Sequence, residues 1–212
     1  MEPRPELDDV ARKFTVDEVM QMVRAGVLDD DERVELIEGE LLVAMSPQEP
    51  PHANTIRRLT HKLVEVYGPS YTVCVQLPFF ASSTSLPEPD FAVVRGEAQI
   101  YDSRHPGGSD AALVIEISWS TRRRDRRKVA IYGRAGVPVY WLLDVEKRRL
   151  EVYEKPVVDG TYTLMRVLEE SAEVDVPETS ARWLVRDLLP VRQESDPGAG
   201  NSSKAESPPA SA

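Results

Sequence analysis

The sequence predicts an α/β domain: a mixed β-sheet flanked by helices, with an antiparallel hairpin and an antiparallel meander. Three stretches lead there. LVIEISWSTRRRDRRKVAIY, from Leu113 to Tyr132, followed by VYWLLDV, reads as strand, helix, strand, the crossover unit that makes neighbouring strands parallel. RVELIEGELLVA, Arg33 to Ala44, sets two apolar-rich runs around Glu38-Gly39 and reads as a hairpin. RRLEVYE and TYTLMRVL flank a turn at Asp159-Gly160 and read as the meander.

In chain order, a first helix begins with Thr15 as N-cap and Glu18 as its capping-box partner, and stops near Gly26. The hairpin follows, closed by Ser46-Pro47. A second helix, from His52 to Tyr67, repeats Ile56, Leu59, Leu63, Val66 and Tyr67 at three- and four-residue intervals, so one stripe faces a core; Gly68-Pro69 ends it. Tyr71 to Phe80 and Pro89 to Val94 read as strands, and 96–110 as a polar surface connection. After the strand around Glu116, the basic helix runs to about Ala135, where Gly136 and Pro138 stop it. Tyr140 and Trp141 belong to a central strand, and RWLVRDLL reads as a short closing helix.

At 212 residues the chain suits one globular domain over 14–190, with an arm at 1–13 and a disordered tail at 191–212, rich in Ser, Ala, Pro and Gly. A hydrophobic share of 41% and a charged share of 29% are those of a folding, water-soluble protein. No segment approaches the roughly 20 apolar residues that cross a bilayer, and the acidic N-terminus lacks a signal-peptide core, so a cytoplasmic protein without membrane contact is expected. Cys74 is a lone core thiol, and His52, His61 and His105 are scattered without cysteine partners, which excludes zinc-finger spacing. The net charge of -10 opposes broad attraction to phosphate backbones. The one strongly basic cluster, Arg122 to Lys128, is read either as a solvated helix face or as a local basic groove.

The chemistry-bearing residues stand out against this frame. Glu116 lies inside the apolar run Leu113, Val114, Ile115 and Ile117, where an unpaired ionised carboxylate costs several kcal/mol. Something positive is therefore expected beside it. Strand alternation puts Val114, Glu116 and Ser118 on one face. Asp90 starts the preceding strand directly after Pro89, and two carboxylates on neighbouring strands supply the hard oxygen donors that Mg²⁺ prefers. On the following helix Thr121, Asp125, Lys128, Val129 and Tyr132 share the sheet-facing side, so Lys128 points inward. It either joins the carboxylates or pairs with Asp125 and reaches the surface.

RVELIEGELL, MSPQEPPHANTIRRL, EPDFAVV, the stretch from Leu113 to Asp144 and RRLEVYE, in that order and spacing, resemble the Uma-type restriction endonuclease family within the PD-(D/E)XK nuclease superfamily, over about Phe14 to Leu189. The resemblance implies a restriction-endonuclease-like fold. It maps the superfamily's PD onto Pro89-Asp90 and its second acid onto Glu116. The superfamily's lysine position holds Ser118 here, and Lys128 fits the role of a lysine migrated to the next helix. Glu35, in the first hairpin, matches an additional acid near the metal. Trp119 stands where the family commonly has proline, and His52 matches a family histidine that can equally cap or pack its helix; Gln76 can approach from its strand.

What this implies is metal-assisted phosphodiester hydrolysis in DNA, with Asp90 and Glu116 holding Mg²⁺ or Mn²⁺ and Lys128 orienting or deprotonating water. Glu35 would hold a second metal or its water shell, and Arg122, Arg124 and Ser118 are the candidate substrate contacts. A homodimer is compatible with cleavage of both strands. Two other readings are a noncatalytic nuclease-like binding module and a glycosidase acid-base pair; inward lysine and adjacent arginines suit an anionic substrate better than a sugar.

Overall fold

The computed structural model describes residues 11–28, 34–43, 50–118 and 122–191, with backbone alone over 122–126. Residues 1–10 of the arm, the Ser46-Pro47 turn, Trp119, Thr121 and residues 192–212 of the tail lie outside the described residues.

Helix α1 (Val16–Arg24) carries the expected capping box, in which Thr15 accepts from the Glu18 amide and the Glu18 carboxylate accepts from the Thr15 amide. The hairpin is β1 (Val34–Ile37) and β2 (Glu40–Val43), and α2 (Pro50–Tyr67) follows. The main sheet has six strands in the order β3 (Tyr71–Val75), β4 (Phe91–Arg95), β5 (Ala111–Ser118), β6 (Val139–Asp144), β7 (Arg149–Pro156) and β8 (Tyr162–Glu169). Every pairing is antiparallel except β5 with β6, which α3 (Arg122–Arg134) connects as the expected crossover.

Alternation along β5 separates two cores. Leu113, Ile115 and Ile117 pack with Ile56, Leu59 and Leu63 of α2, while Val114 packs with Tyr132 of α3 on the opposite face. All eight residues of β5 are buried, Glu116 among them. A third cluster joins Val16 and Val19 to Leu36 and Leu86, and paired backbone bonds between Leu36 and Leu86 dock the hairpin against the loop before β4. Helix α3 is seated closely: a Cβ on Gly133 would stand 2.1 Å from the carbonyl oxygen of Gly160 in the β7–β8 turn.

The structure corrects two expectations. The strand expected from Tyr71 to Phe80 ends at Val75, because Gln76 turns to φ 50° and Pro78 has no amide to donate. The closing helix expected in RWLVRDLL is instead strand β10 (Arg182–Leu184), paired with β9 (Glu173–Asp175), and one 3-10 turn (Val185–Asp187). So short a helix is marginal alone, whereas pairing lets Trp183 pack edge-on against Trp141 at 6.5 Å.

Candidate active site

Asp90 precedes β4 by one residue, and extending the Phe91↔Ile115 register places it opposite Glu116 on β5. Directly opposed residues of an antiparallel pair project to the same face with Cβ atoms about 4.5–5.5 Å apart. The two carboxylates therefore share the α3 side of the sheet. Asp90 is held firmly. Its Oδ2 accepts from the Ile117 amide at 2.8 Å, and its Oδ1 accepts from Gln76 Nε2 at 3.1 Å and lies 3.2 Å from His52 Nε2. Gln76 does this from a left-handed backbone conformation that non-glycine residues seldom adopt.

Glu116 is 6% exposed and accepts two hydrogen bonds on Oε1, from Lys128 Nζ at 2.9 Å and from the Tyr132 hydroxyl at 2.8 Å. Lys128 comes from the sheet-facing side of α3 and is 5% exposed. Its ammonium also donates to Glu35 Oε1 at 2.7 Å, so it bridges an acid of the hairpin and an acid of the sheet. Glu35 Oε1 in turn accepts from the Glu88 amide at 2.9 Å, which ties the hairpin to the loop carrying Asp90. The positive partner that burial of Glu116 demanded is thus Lys128.

The charges do not balance. Asp90, Glu116 and Glu35 against Lys128 sum to −2 when all are ionised. Burial pushes the Glu116 carboxyl from 4.5 up to about 8, the charges of Asp90 and Glu35 adding to this and Lys128 opposing it. For Lys128, burial alone would lower the ammonium pKa, but the charges of Glu116 and Glu35 outweigh it and hold the group charged. Tyr132 is raised well above the usual phenol value, by burial first and then by Glu116.

Among the described residues, no three His, Cys, Asp or Glu side chains are gathered into a metal-holding group. Lys128 bridges the acids instead. The donor set nevertheless suits a hard cation: among the described residues, Glu116 and Glu35 each take their hydrogen bonds on Oε1 alone, leaving Oε2 uncommitted, and the charge of −2 that the cluster reaches when Glu116 is also ionised matches a divalent ion.

Of the other candidates, Ser118 is 4% exposed at the end of β5, in register with Asp144. Backbone places Arg122 and Arg124 in the first turn of α3; their side chains lie outside the described residues. Arg127 points outward to Glu38 and Glu40, as the helical phase of its cluster implies. Tyr132 is the partner that sequence reasoning placed on the right face without assigning it a role; its spacing of one helical turn from Lys128 was the available signal.

A mixed sheet bearing opposed acids on adjacent strands, with a lysine delivered from the crossover helix, defines a restriction-endonuclease-like nuclease fold. Residues 16–191 match the model of the Uma2 family, described as "Putative restriction endonuclease". The chain belongs to that family. Its fold is also that of a crystal structure described as "a putative nuclease belonging to DUF820" from Anabaena variabilis, with a TM-score of 0.65 and 19% identity over 82% of this chain and 97% of that one. No curated protein matches the sequence. No helix among the described residues is long and apolar enough to cross a membrane.

Proposed function

We propose that this protein is an endonuclease that hydrolyses phosphodiester bonds in DNA with the help of a divalent cation. The observation that carries the reading is the buried site itself: Asp90 and Glu116 opposed on neighbouring strands, and Lys128 bridging Glu116 to Glu35, so that three carboxyl groups share one ammonium.

Asp90 and Glu116 would hold Mg²⁺, or Mn²⁺ in its place, with Glu35 contributing to a second ion or its water shell. When bound, such an ion neutralises phosphate charge and acidifies water. The protein's own residues do the rest. His52 and Gln76 keep Asp90 from swinging away. Lys128 stays an ammonium, so its part is that of a donor rather than a base: two of its N–H groups serve Glu35 and Glu116, and the third is available to a water or a phosphate oxygen. Tyr132 fixes the Glu116 rotamer from below. Ser118, Arg122 and Arg124 are the proposed contacts to the substrate strand.

The test is cleavage of plasmid, single-stranded DNA and RNA with Mg²⁺ or Mn²⁺, alongside calorimetry of each metal. Asp90→Ala and Glu116→Ala are expected to abolish metal-dependent cleavage and to weaken metal binding while the variants still melt cooperatively. Full activity in either variant removes the assignment. A wild-type protein that binds neither metal at millimolar concentration would be a noncatalytic nuclease-like module instead.

A further inference from the structure

Around the corner from the carboxylates, on the α2 side of the sheet, lies a groove of about 390 Å³ between α2, the β6–β7 turn and the segment 186–191. Four basic side chains line it, Arg58, Lys62, Arg148 and Arg186, against one acid, Asp187. That local excess sits on a chain of net charge -10. Among the described residues, no carboxylate pairs with Arg58, Lys62 or Arg186. Arg58 Nη2 donates to the Asp187 carbonyl at 2.7 Å, and Lys62 Nζ stands 5.2 Å over the Trp183 ring. Both cations are thereby held in place without being neutralised. Arg148 differs, for it pairs with Glu170 and donates to the Pro190 carbonyl at 3.0 Å, which fixes the C-terminal wall. Like charges gathered in a concave site repel one another, and an anion relieves that repulsion.

The groove lies at the same end of the sheet as the site. His52, at the start of α2, reaches Asp90, and Arg58 and Lys62 follow on that helix about 9 and about 15 Å further along its axis at 1.5 Å per residue. On the other wall, Arg148 follows the end of β6, whose Asp144 is in register with Ser118 at the end of β5. At about 3.4 Å per nucleotide, those offsets along α2 from His52 correspond to roughly three to four nucleotides of strand. We propose that this groove binds the phosphodiester backbone of the substrate strand flanking the bond to be cut, with Arg58, Lys62 and Arg186 each contacting phosphate. The inference rests on the nuclease reading of the catalytic face.

The test uses the full chain carrying Asp90→Asn, to prevent cleavage, and fluorescein-labelled DNA oligonucleotides, single- and double-stranded, titrated across a range of salt. Arg58→Gln/Lys62→Gln/Arg186→Gln is compared with an equal charge change elsewhere, Arg24→Gln/Arg104→Gln/Lys155→Gln, and thermal melts verify that both fold. The groove triple is expected to weaken binding roughly tenfold or more and to lower the slope of log Kd against log salt by about 2, because each lost phosphate contact removes about 0.7–0.9. In the chain with Asp90 intact, the same triple should raise KM while leaving kcat within a factor of about two. Equal binding by the two triples overturns the groove and leaves the nuclease reading standing if cleavage persists. Groove-dependent binding by a wild-type chain that never cleaves overturns the nuclease reading and with it the place of the groove beside a scissile bond, and no oligonucleotide binding at all overturns the groove.

Discussion

Replacing Glu116 with Gln tests the electrostatics of the site without removing its shape. In the metal-free protein the Glu116 carboxyl is pushed from 4.5 up to about 8, by burial first and by Asp90 and Glu35 next. Between those values the folded chain keeps a proton that the unfolded chain has released. The unfolding free energy therefore falls as pH rises through this window, and the contribution is lost once pH passes the folded value. At about 1.4 kcal/mol per pH unit, the gap from 4.5 to about 8 bounds the effect at roughly 5 kcal/mol. Relaxation around Lys128 and Tyr132 reduces it, so a loss of about 2–4 kcal/mol is expected for the wild type between pH 5 and pH 8.5. Urea unfolding in EDTA measures it directly. Glu116→Gln cannot ionise and should lose less over the same range, the difference between the two slopes isolating this one carboxyl. Parallel pH profiles for wild type and variant would refute the claim that Glu116 is an under-compensated buried acid.

Lys128→Met removes the ammonium shared by Glu35 and Glu116 and should abolish cleavage. Because the Glu116 carboxyl already holds a proton at neutral pH in the metal-free protein, the stability loss there should stay near 1–3 kcal/mol rather than the roughly 3–5 kcal/mol of an orphaned buried charge, as read by urea denaturation. Tyr132→Phe deletes one hydrogen bond to Glu116 Oε1 and is expected to cost about 1–2 kcal/mol above pH 8, where the carboxylate is charged; a melt unchanged at that pH would count against the bond. Gly133→Ala drives a methyl toward the Gly160 carbonyl, so α3 must shift; a loss of about 1–3 kcal/mol in thermal melts and a matching drop in cleavage are expected. Thr15→Ala opens the α1 capping box far from the chemistry and should cost about 1 kcal/mol while cleavage is unchanged.

Local periodicity was enough to orient the key side chains. A period of two along Leu113 to Ser118 turned Glu116 to one face, and a period of 3.6 along the basic helix turned Lys128 inward and Arg127 outward, as in the folded chain. The strand-helix-strand order likewise carried the single parallel pairing of β5 with β6. Glu35 was different: only the family resemblance pointed to it, since a glutamate in a hairpin is chemically unremarkable until the hairpin docks.

What the amino-acid order determined alone was therefore which face the groups of β5 and α3 present and in what order most elements follow, because those depend on backbone geometry within a few residues. Tertiary structure decided which groups meet. The β4–β5 register set Asp90 opposite Glu116, the Leu36–Leu86 contact brought Glu35 under Lys128, and strand pairing turned RWLVRDLL from an isolated helix into β10. Those choices rest on hydrogen bonds and packing between segments far apart in the chain, whose energy exceeds any local preference once the sheet has closed.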